Sequence, residues 1–264
     1  MRSVSVSGKM ILSGEYAVVF GKRGIAIPSS MGIDVRFTPD KKESIIQWER
    51  EDTRSSSTEY VKKVAEEIRK RSGIAGTYRI RGTLPIGKGM GASTAIVIAM
   101  CRAAIGEDSE EIARAIEDAV NLGHSGLDFA VIWKNMPLVF RKNESPAPAT
   151  IDLSFLKSAL LIDTGTPGET TPELVSWVRT RYKSGEPEVI RAIETIDTCT
   201  ERILSGEPLR NVMRDHHRAQ VVLGVVPEHV QKIIADIETK GGAAKVIGAG
   251  GRTGGGGMVL SIPA

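Results

Sequence analysis

Three observations predict an α+β fold. Stretches of period-two apolar alternation and stripes of helical spacing occur in both halves of the chain. They do not alternate regularly as strand–helix–strand units, and no fixed-length repeat runs through them. A uniformly wound parallel sheet, a solenoid and a propeller are therefore not expected.

The elements follow in order. Val4 and Val6, then Met10, Ile11 and Leu12, then Ala17 to Phe20 read as strands with a tight turn at Gly21 to Gly24, and Ile25 to Ile27, Ile33 to Phe37 and Ser44 to Trp48 continue the strand character. Thr58 to Arg71 switches to helical spacing, with Val61, Val64, Ala65 and Ile68 as one stripe. Tyr78 to Ile80 is a strand entering the loop LPIGKGMGAS, and Ser93 to Ala104 is an apolar helix. Asp108 followed three residues later by Glu111 has the capping-box pattern, opening a helix with the stripe Ile112, Ala115, Ile116, Ala119 and Val120. Leu138 to Phe140 is a strand, and the Pro-, Asn- and Ser-rich segment from Lys142 to Thr150 predicts a boundary between residues 1–148 and 149–264. Beyond it come a strand from Ala159 to Ile162 and helices from Thr171, over Glu188 to Leu204, over Leu209 to Val222 and over Pro227 to Thr239. A final strand pair is split by IGAGGRTGGGG.

Composition narrows the function classes. The 264 residues are 41% apolar and 25% charged, enough to bury a core without disulfides or a metal staple. Aromatics are 5%, while glycines number 28, an excess that suggests close backbone approaches. The longest apolar run, Ala95 to Cys101, is far short of the ~20 residues that cross a bilayer, and MRSVSVSGK lacks the apolar stretch of a secretory signal. No membrane association is expected, and the expected location is the cytoplasm. A net charge of +3 suits an anionic substrate, but the chain lacks the basic clusters and interleaved aromatics of a nucleic-acid binder. Cys101 and Cys199 show no metal spacing and fit apolar helical patterns as small core residues. Trp48, Trp133 and Trp177 are expected in the core or at an interface, and the adjacent His216 and His217 at the surface, about 100° apart on their helix.

The glycine loop carries the first chemistry. Gly82 to Lys88 fits seven positions of the G-x-x-x-x-G-K-[ST] phosphate loop, but the eighth is Gly89, which has no hydroxyl for a metal, and Pro85 removes a backbone donor. The dinucleotide fingerprint also fails, because the glycines alternate at Gly87, Gly89 and Gly91. What remains is a loop without Cβ obstruction that leads into a helix N-terminus opened by Ser93 and Thr94. Such a terminus cradles anions or is simply a glycine turn capped by Ser93. His124, Ser125 and Asp128 are near neighbours without a nucleophile elbow, so hydrolysis is not indicated.

Four motifs in order give the loop a context. PIGKGMGASTA resembles the phosphate-binding motif P-x-G-x-G-L-G-S-S-A-A of the GHMP kinases, and SVSGKMILSGEYAVVFG resembles that family's opening. HSGLDFAV is similar to its N-P-S-G-x-D segment and KVIGAGGRTGGGG to its C-terminal glycine run; together the four span Ser5 to Gly257. Within the family the opening is most similar to the mevalonate kinases, with phosphomevalonate kinases next. The resemblance implies an N-terminal α+β domain with a left-handed βαβ unit and a ferredoxin-like C-terminal domain. It implies ATP and Mg²⁺ as cofactors and a small-molecule alcohol, mevalonate, as partner; a homodimer stays open.

Residue by residue, the resemblance implies that Asp128 is the catalytic carboxylate and Lys9 its cationic partner. A lysine between Val6 and Leu12 also needs a partner on physical grounds, since an unpaired buried charge is costly. ATP contacts fall on Pro85, Gly87, Lys88, Gly89, Met90, Gly91, Ala92, Ser93 and Thr94. Mg²⁺ ligands fall on Ser93 and on Glu117, although Glu117 lies off the apolar stripe of its helix, where a solvated face is expected. Substrate-side residues are Lys9, Glu15, Tyr16, Asp128, Thr170 and Gly250. Departures from the family pattern are Tyr16 for histidine, Ala92 for the first serine, His124 for proline, Ile247 for serine or threonine, and an apparent insertion of Arg252 and Thr253. Arg252 offers an extra anion contact. A phosphomevalonate kinase, a non-catalytic regulator on the same fold and an RNA-binding module are the competing readings.

Overall fold

The computed structural model describes residues 1–40, 43–49 and 55–264. They group into two compact units, each discontinuous in sequence: Met1–Lys9, Pro28–Ile86 and Gly91–Asn135 in the first, and Met10–Ile27, Gly87–Met90 and Met136–Ala264 in the second. These units do not coincide with a division at 148–149. The reason is strand pairing: Arg23 to Ala26 hydrogen-bonds antiparallel with Leu138 to Arg141, so residues far apart in sequence fold as one body.

The first unit takes the start of β1 (Arg2–Ser13), most of β2 (Arg23–Pro39), then β3 (Ile45–Trp48), α1 (Ser55–Ser72), β4 (Gly76–Gly82), α2 (Ala92–Ala104), α3 (Glu110–Val120) and α4 (Leu127–Lys134). β2 pairs antiparallel with β4 from Ile33 opposite Gly82 to Pro39 opposite Gly76. β3 lies parallel to β4, and α1 connects them, a βαβ unit within the mixed sheet. Ile33, Val35, Phe37, Tyr78 and Ile80 are buried while Arg36 and Arg79 face out, the alternation of a sheet with one covered face. α1, α2, α3 and α4 pack against one another. α2 is buried nearly all round, as its uninterrupted apolar sequence requires. The capping box at Asp108 does not form. α3 starts at Glu110 after Ser109, whose hydroxyl turns back to the Gly106 carbonyl, and its buried stripe is Ala113, Ile116 and Glu117.

The second unit holds the end of β1, the start of β2, β5 (Leu138–Arg141), β6 (Ala147–Pro148), β7 (Leu160–Asp163), α5 (Thr171–Lys183), α6 (Pro187–Leu204), α7 (Leu209–Val222), α8 (Glu228–Thr239), β8 (Ala243–Val246) and β9 (Met258–Ile262). Ala17–Phe20, expected as strand, is a 3₁₀ turn. Gly14 and Tyr16 both have positive φ, and the Val18 and Val19 amides donate to the Gly14 and Tyr16 carbonyls, so local bonds replace a ladder. β7, β9 and β8 form a three-stranded antiparallel sheet in that order. α7 and α8 cover it through contacts with β8. One core gathers Tyr16, Leu174, Val178, Ile193, Ile196 and Leu223, and another gathers Val230, Ile234, Val246 and Val259. Both cysteines are buried in the core. No helix among the described residues is long and apolar enough to cross a membrane.

Candidate active site

In the first unit, Lys9 and Asp128 meet. Lys9 Nζ lies 3.1 Å from Asp128 Oδ1, with the lysine side chain 3% exposed and the aspartate 34%. β1 carries Lys9 into the interior. Asp128 is placed by Gly126, whose left-handed φ of 89° caps α4 and leaves Asp128 in its first turn. That position is favourable for a carboxylate, because the free N–H groups of a helix start carry partial positive charge. The half-exposed oxygen can accept a proton, and the ammonium beside it can steady the charge that develops on the oxygen losing that proton.

Gly91 closes the geometry around this pair. It caps α2 with φ 75°, and a Cβ built on it would stand 3.1 Å from Lys9 Cγ and 2.9 Å from Ile132 Cδ1. A side chain there would displace the lysine, so glycine is demanded by both backbone and space. Ser93, in the first turn of α2, is partly exposed, and α2 is capped by Gly91 without a side-chain hydrogen bond.

Glu117 is 1% exposed, against the solvated face expected for it. Thr94 Oγ1 donates to its Oε1 at 2.7 Å and Asn121 Nδ2 to its Oε2 at 2.8 Å. Asn121 Nδ2 also donates to the Tyr60 hydroxyl, and Tyr60 donates to the Ser93 carbonyl at 3.2 Å. The polar side chains of α1, α2 and α3 thereby link Glu117 to the backbone of Ser93. Burial pushes the Glu117 carboxyl above its ordinary range, the Thr94 and Asn121 bonds oppose that, and the charge of Asp128 adds to the rise. A serine hydroxyl and a carboxylate are hard oxygen donors that suit Mg²⁺, which takes few protein ligands. The donor set fits.

In the second unit, the loop Gly87–Met90 is fixed by its backbone. Gly87 and Gly89 have φ of 73° and 82°. A Cβ on Gly89 would meet the Ile247 carbonyl oxygen at 2.4 Å, and one on Gly257 would meet the Lys88 carbonyl oxygen at 3.0 Å. Met258 N donates to the Lys88 carbonyl at 3.3 Å, and the Lys88 ammonium pairs with Asp163 at the end of β7. Two of the glycine-rich motifs are thus packed backbone to backbone within one body.

Several expected substrate-side residues are engaged elsewhere. Glu15 is buried, its Oε1 paired with Lys245 Nζ and its Oε2 3.0 Å from His216 Nε2. Burial pushes its carboxyl up, but Lys245 first and His216 second outweigh that and hold it at about 2. His216 and His217, expected at the surface, are buried because α7 turns that side onto the unit's interior. Burial holds both imidazoles below their ordinary value, His217 at about 4. Tyr16 is buried with its hydroxyl donating to the Ala249 carbonyl. Thr170 is the N-cap of α5, its amide and hydroxyl both bonded to Glu173 Oε2 at 2.7 Å. Gly250 packs against Val225, where a Cβ would lie 2.1 Å from the carbonyl oxygen. The Arg252 and Thr253 amides donate to Glu169 Oε2, and the Arg252 guanidinium lies 3.9 Å from the centre of the Trp177 ring.

The residues that sequence reasoning missed are Tyr60, Asn121, Asp163 and Lys245. Asn121 had a signal, since it sits four residues after Glu117 on one helix face. The others depend on pairings across long sequence separations, which spacing does not reveal.

Residues 59–135 match the GHMP kinases N terminal domain. The mevalonate kinase of Archaeoglobus fulgidus is 27% identical over 94% of this chain and 88% of its own. Among solved structures, L. major mevalonate kinase in complex with R-mevalonate superposes with a TM-score of 0.80 at 20% identity, covering 100% of this chain and 87% of that one. Streptococcus pneumoniae phosphomevalonate kinase in complex with phosphomevalonate and AMPPNP gives 0.72 at 14%, covering 100% and 92%. The ammonium–carboxylate pair, the glycine loop and the C-terminal glycine turn lie in family order, and the chain is similar to the GHMP kinases in its N-terminal domain and to mevalonate kinases over 94% of its length.

Proposed function

We propose that this protein transfers the γ-phosphoryl group of ATP to the primary C5 hydroxyl of mevalonate, giving 5-phosphomevalonate for isoprenoid synthesis. The observation that carries the reading is the buried Lys9 at 3.1 Å from the half-exposed Asp128, in a chain similar along nearly its whole length to mevalonate kinases. Phosphoryl transfer asks the protein mainly for positioning and charge stabilisation. Gly87 to Thr94 supply backbone donors, the start of α2 and the Ser93 side chain toward the phosphates, while the Thr94 hydroxyl holds Glu117. Asp128 orients the hydroxyl and takes its proton as the new oxygen–phosphorus bond forms and the bond to ADP breaks. Lys9 steadies the developing alkoxide. Ser93 and Glu117 would hold Mg²⁺, which when bound neutralises charge on the nucleotide phosphates. The expected partner is thus a small alcohol.

The second reading is a phosphomevalonate kinase, to which the chain's opening motif is next most similar. An acceptor that already carries phosphate would need further cations at its site. ATP consumption by the purified protein, measured side by side with mevalonate and with phosphomevalonate, separates the two. Turnover with mevalonate alone is expected; turnover confined to phosphomevalonate replaces the first reading, and turnover with neither removes both.

A further inference from the structure

We infer that Tyr16 is a positioning residue that fixes the phosphate loop from behind, through the turn at Ile247 to Gly250, and does not contact the alcohol. The inference rests on the kinase reading only in taking Gly87 to Met90 as part of the phosphate cradle.

Tyr16 has φ 64° and ψ −44°, positive φ on a bulky residue that is 5% exposed. Such a conformation is unfavourable for a bulky side chain and persists where the surroundings over-determine it. Here they do. The ring is packed into the core with Leu174, Val178 and Ile193, and the hydroxyl ends on the Ala249 carbonyl. Burial, then the nearby carboxylate charge of Glu15, push the phenol well above its ordinary value, so it remains a donor.

Ala249 belongs to a turn that the end of β8 holds at three successive points. Lys245 is tied to the buried Glu15, next to Tyr16 in sequence. Gln220 Nε2 donates to the Val246 carbonyl at 3.0 Å. Tyr16 completes the set at Ala249. Between the second and third points lie Ile247 and Gly248, the residues on which the phosphate loop rests. A Cβ on Gly248 would come within 2.6 Å of Gly89 Cα, and one on Gly89 within 2.4 Å of the Ile247 oxygen. With main chain against main chain there is no side chain to absorb a shift, so movement of the turn is transmitted to Gly89. A tyrosine that reached for a solute would leave the Ala249 carbonyl without its donor and abandon a packed ring.

Tyr16→Phe in the full chain tests this, since the ring and its packing stay and only the hydroxyl goes. Hydrogen exchange of the unliganded protein is expected to accelerate about 3- to 10-fold at residues 87–90 and 247–250, the loss of one neutral hydrogen bond, with α5 and α6 unchanged. The dissociation constant for AMPPNP should rise by a similar factor while that for mevalonate alone stays constant. Unchanged exchange in both segments overturns the inference, as does weakened mevalonate binding with AMPPNP binding intact, the pattern of a direct substrate contact. If the unsubstituted protein binds no nucleotide, the kinase reading fails by itself, and the exchange rates still decide whether Tyr16 holds the turn.

Discussion

Three carboxylates in this protein have three different tasks, and their surroundings assign them. Asp128 is half exposed at a helix start beside a buried ammonium, the placement of a group that must meet a reactant. Asp128→Asn keeps the shape but cannot take a proton. Turnover should fall by about 10²–10⁴-fold, the usual worth of general base catalysis, while equilibrium binding of AMPPNP is retained; near-normal turnover would remove Asp128 from the chemistry. Glu117 is buried, and burial raises its pKa from 4.5. The folded state then holds its proton more tightly than the unfolded one, so stability falls as pH rises from 4.5 through the raised value. In Glu117→Gln the amide can donate to Thr94 while its oxygen accepts from Asn121. Metal-free denaturation should therefore show the variant gaining on the parent as pH rises from 4.5, with a higher Mg²⁺ requirement for turnover. A pH-independent difference would contradict the buried-acid account. Glu15, by contrast, is held ionised by Lys245 and His216. Lys245→Met strands that charge and should cost about 3–5 kcal/mol in urea denaturation; adding Glu15→Gln should recover part of the loss.

At the scale of elements, the glycine loop is defined by what it cannot accommodate. Gly89→Ala must place a methyl group 2.4 Å from the Ile247 oxygen at φ 82°. We expect nucleotide affinity to drop more than tenfold while the thermal midpoint moves only a few degrees, because the strain falls on the Gly87–Met90 loop and the turn at Ile247 and Gly248 that it packs on. Loss of the whole fold instead would show that the loop belongs to the core. Much of this level was legible in the sequence. The helices from Thr171, over Leu209 to Val222 and from Pro227 emerge where stripes, prolines and caps place them, because the signals are local. The 3₁₀ turn at Ala17 was not legible, since an apolar run of four residues reads equally as strand and only the positive φ values at Gly14 and Tyr16 decide. Glu117 misled for a related reason. The stripe drawn through Ile112 and Val120 lies one step round α3 from the buried face, and a carboxylate enters that face only because Thr94 and Asn121 satisfy it.

For the whole molecule, sequence order and spatial order diverge. Residues 87–90 fold with the second unit and residues 91–94 with the first, so a single short segment of chain contributes to both bodies. The pairing of Lys9 with Asp128 could be anticipated from charge burial and family resemblance, and the helix start that presents Asp128 from the Ser125–Gly126 turn. The cluster of Glu15, Lys245 and His216 could not, because 230 residues separate the first two and neither has a local pattern that announces the other. Phosphoryl transfer by this chemistry requires that the alcohol come to the Lys9–Asp128 pair. A crystal structure of the full chain with an ATP analogue, Mg²⁺ and mevalonate measures this directly. The account predicts the C5 hydroxyl within about 2.6–3.2 Å of an Asp128 carboxylate oxygen; a hydroxyl bound out of reach of that carboxylate, with the phosphates elsewhere than on residues 87–94, would contradict it.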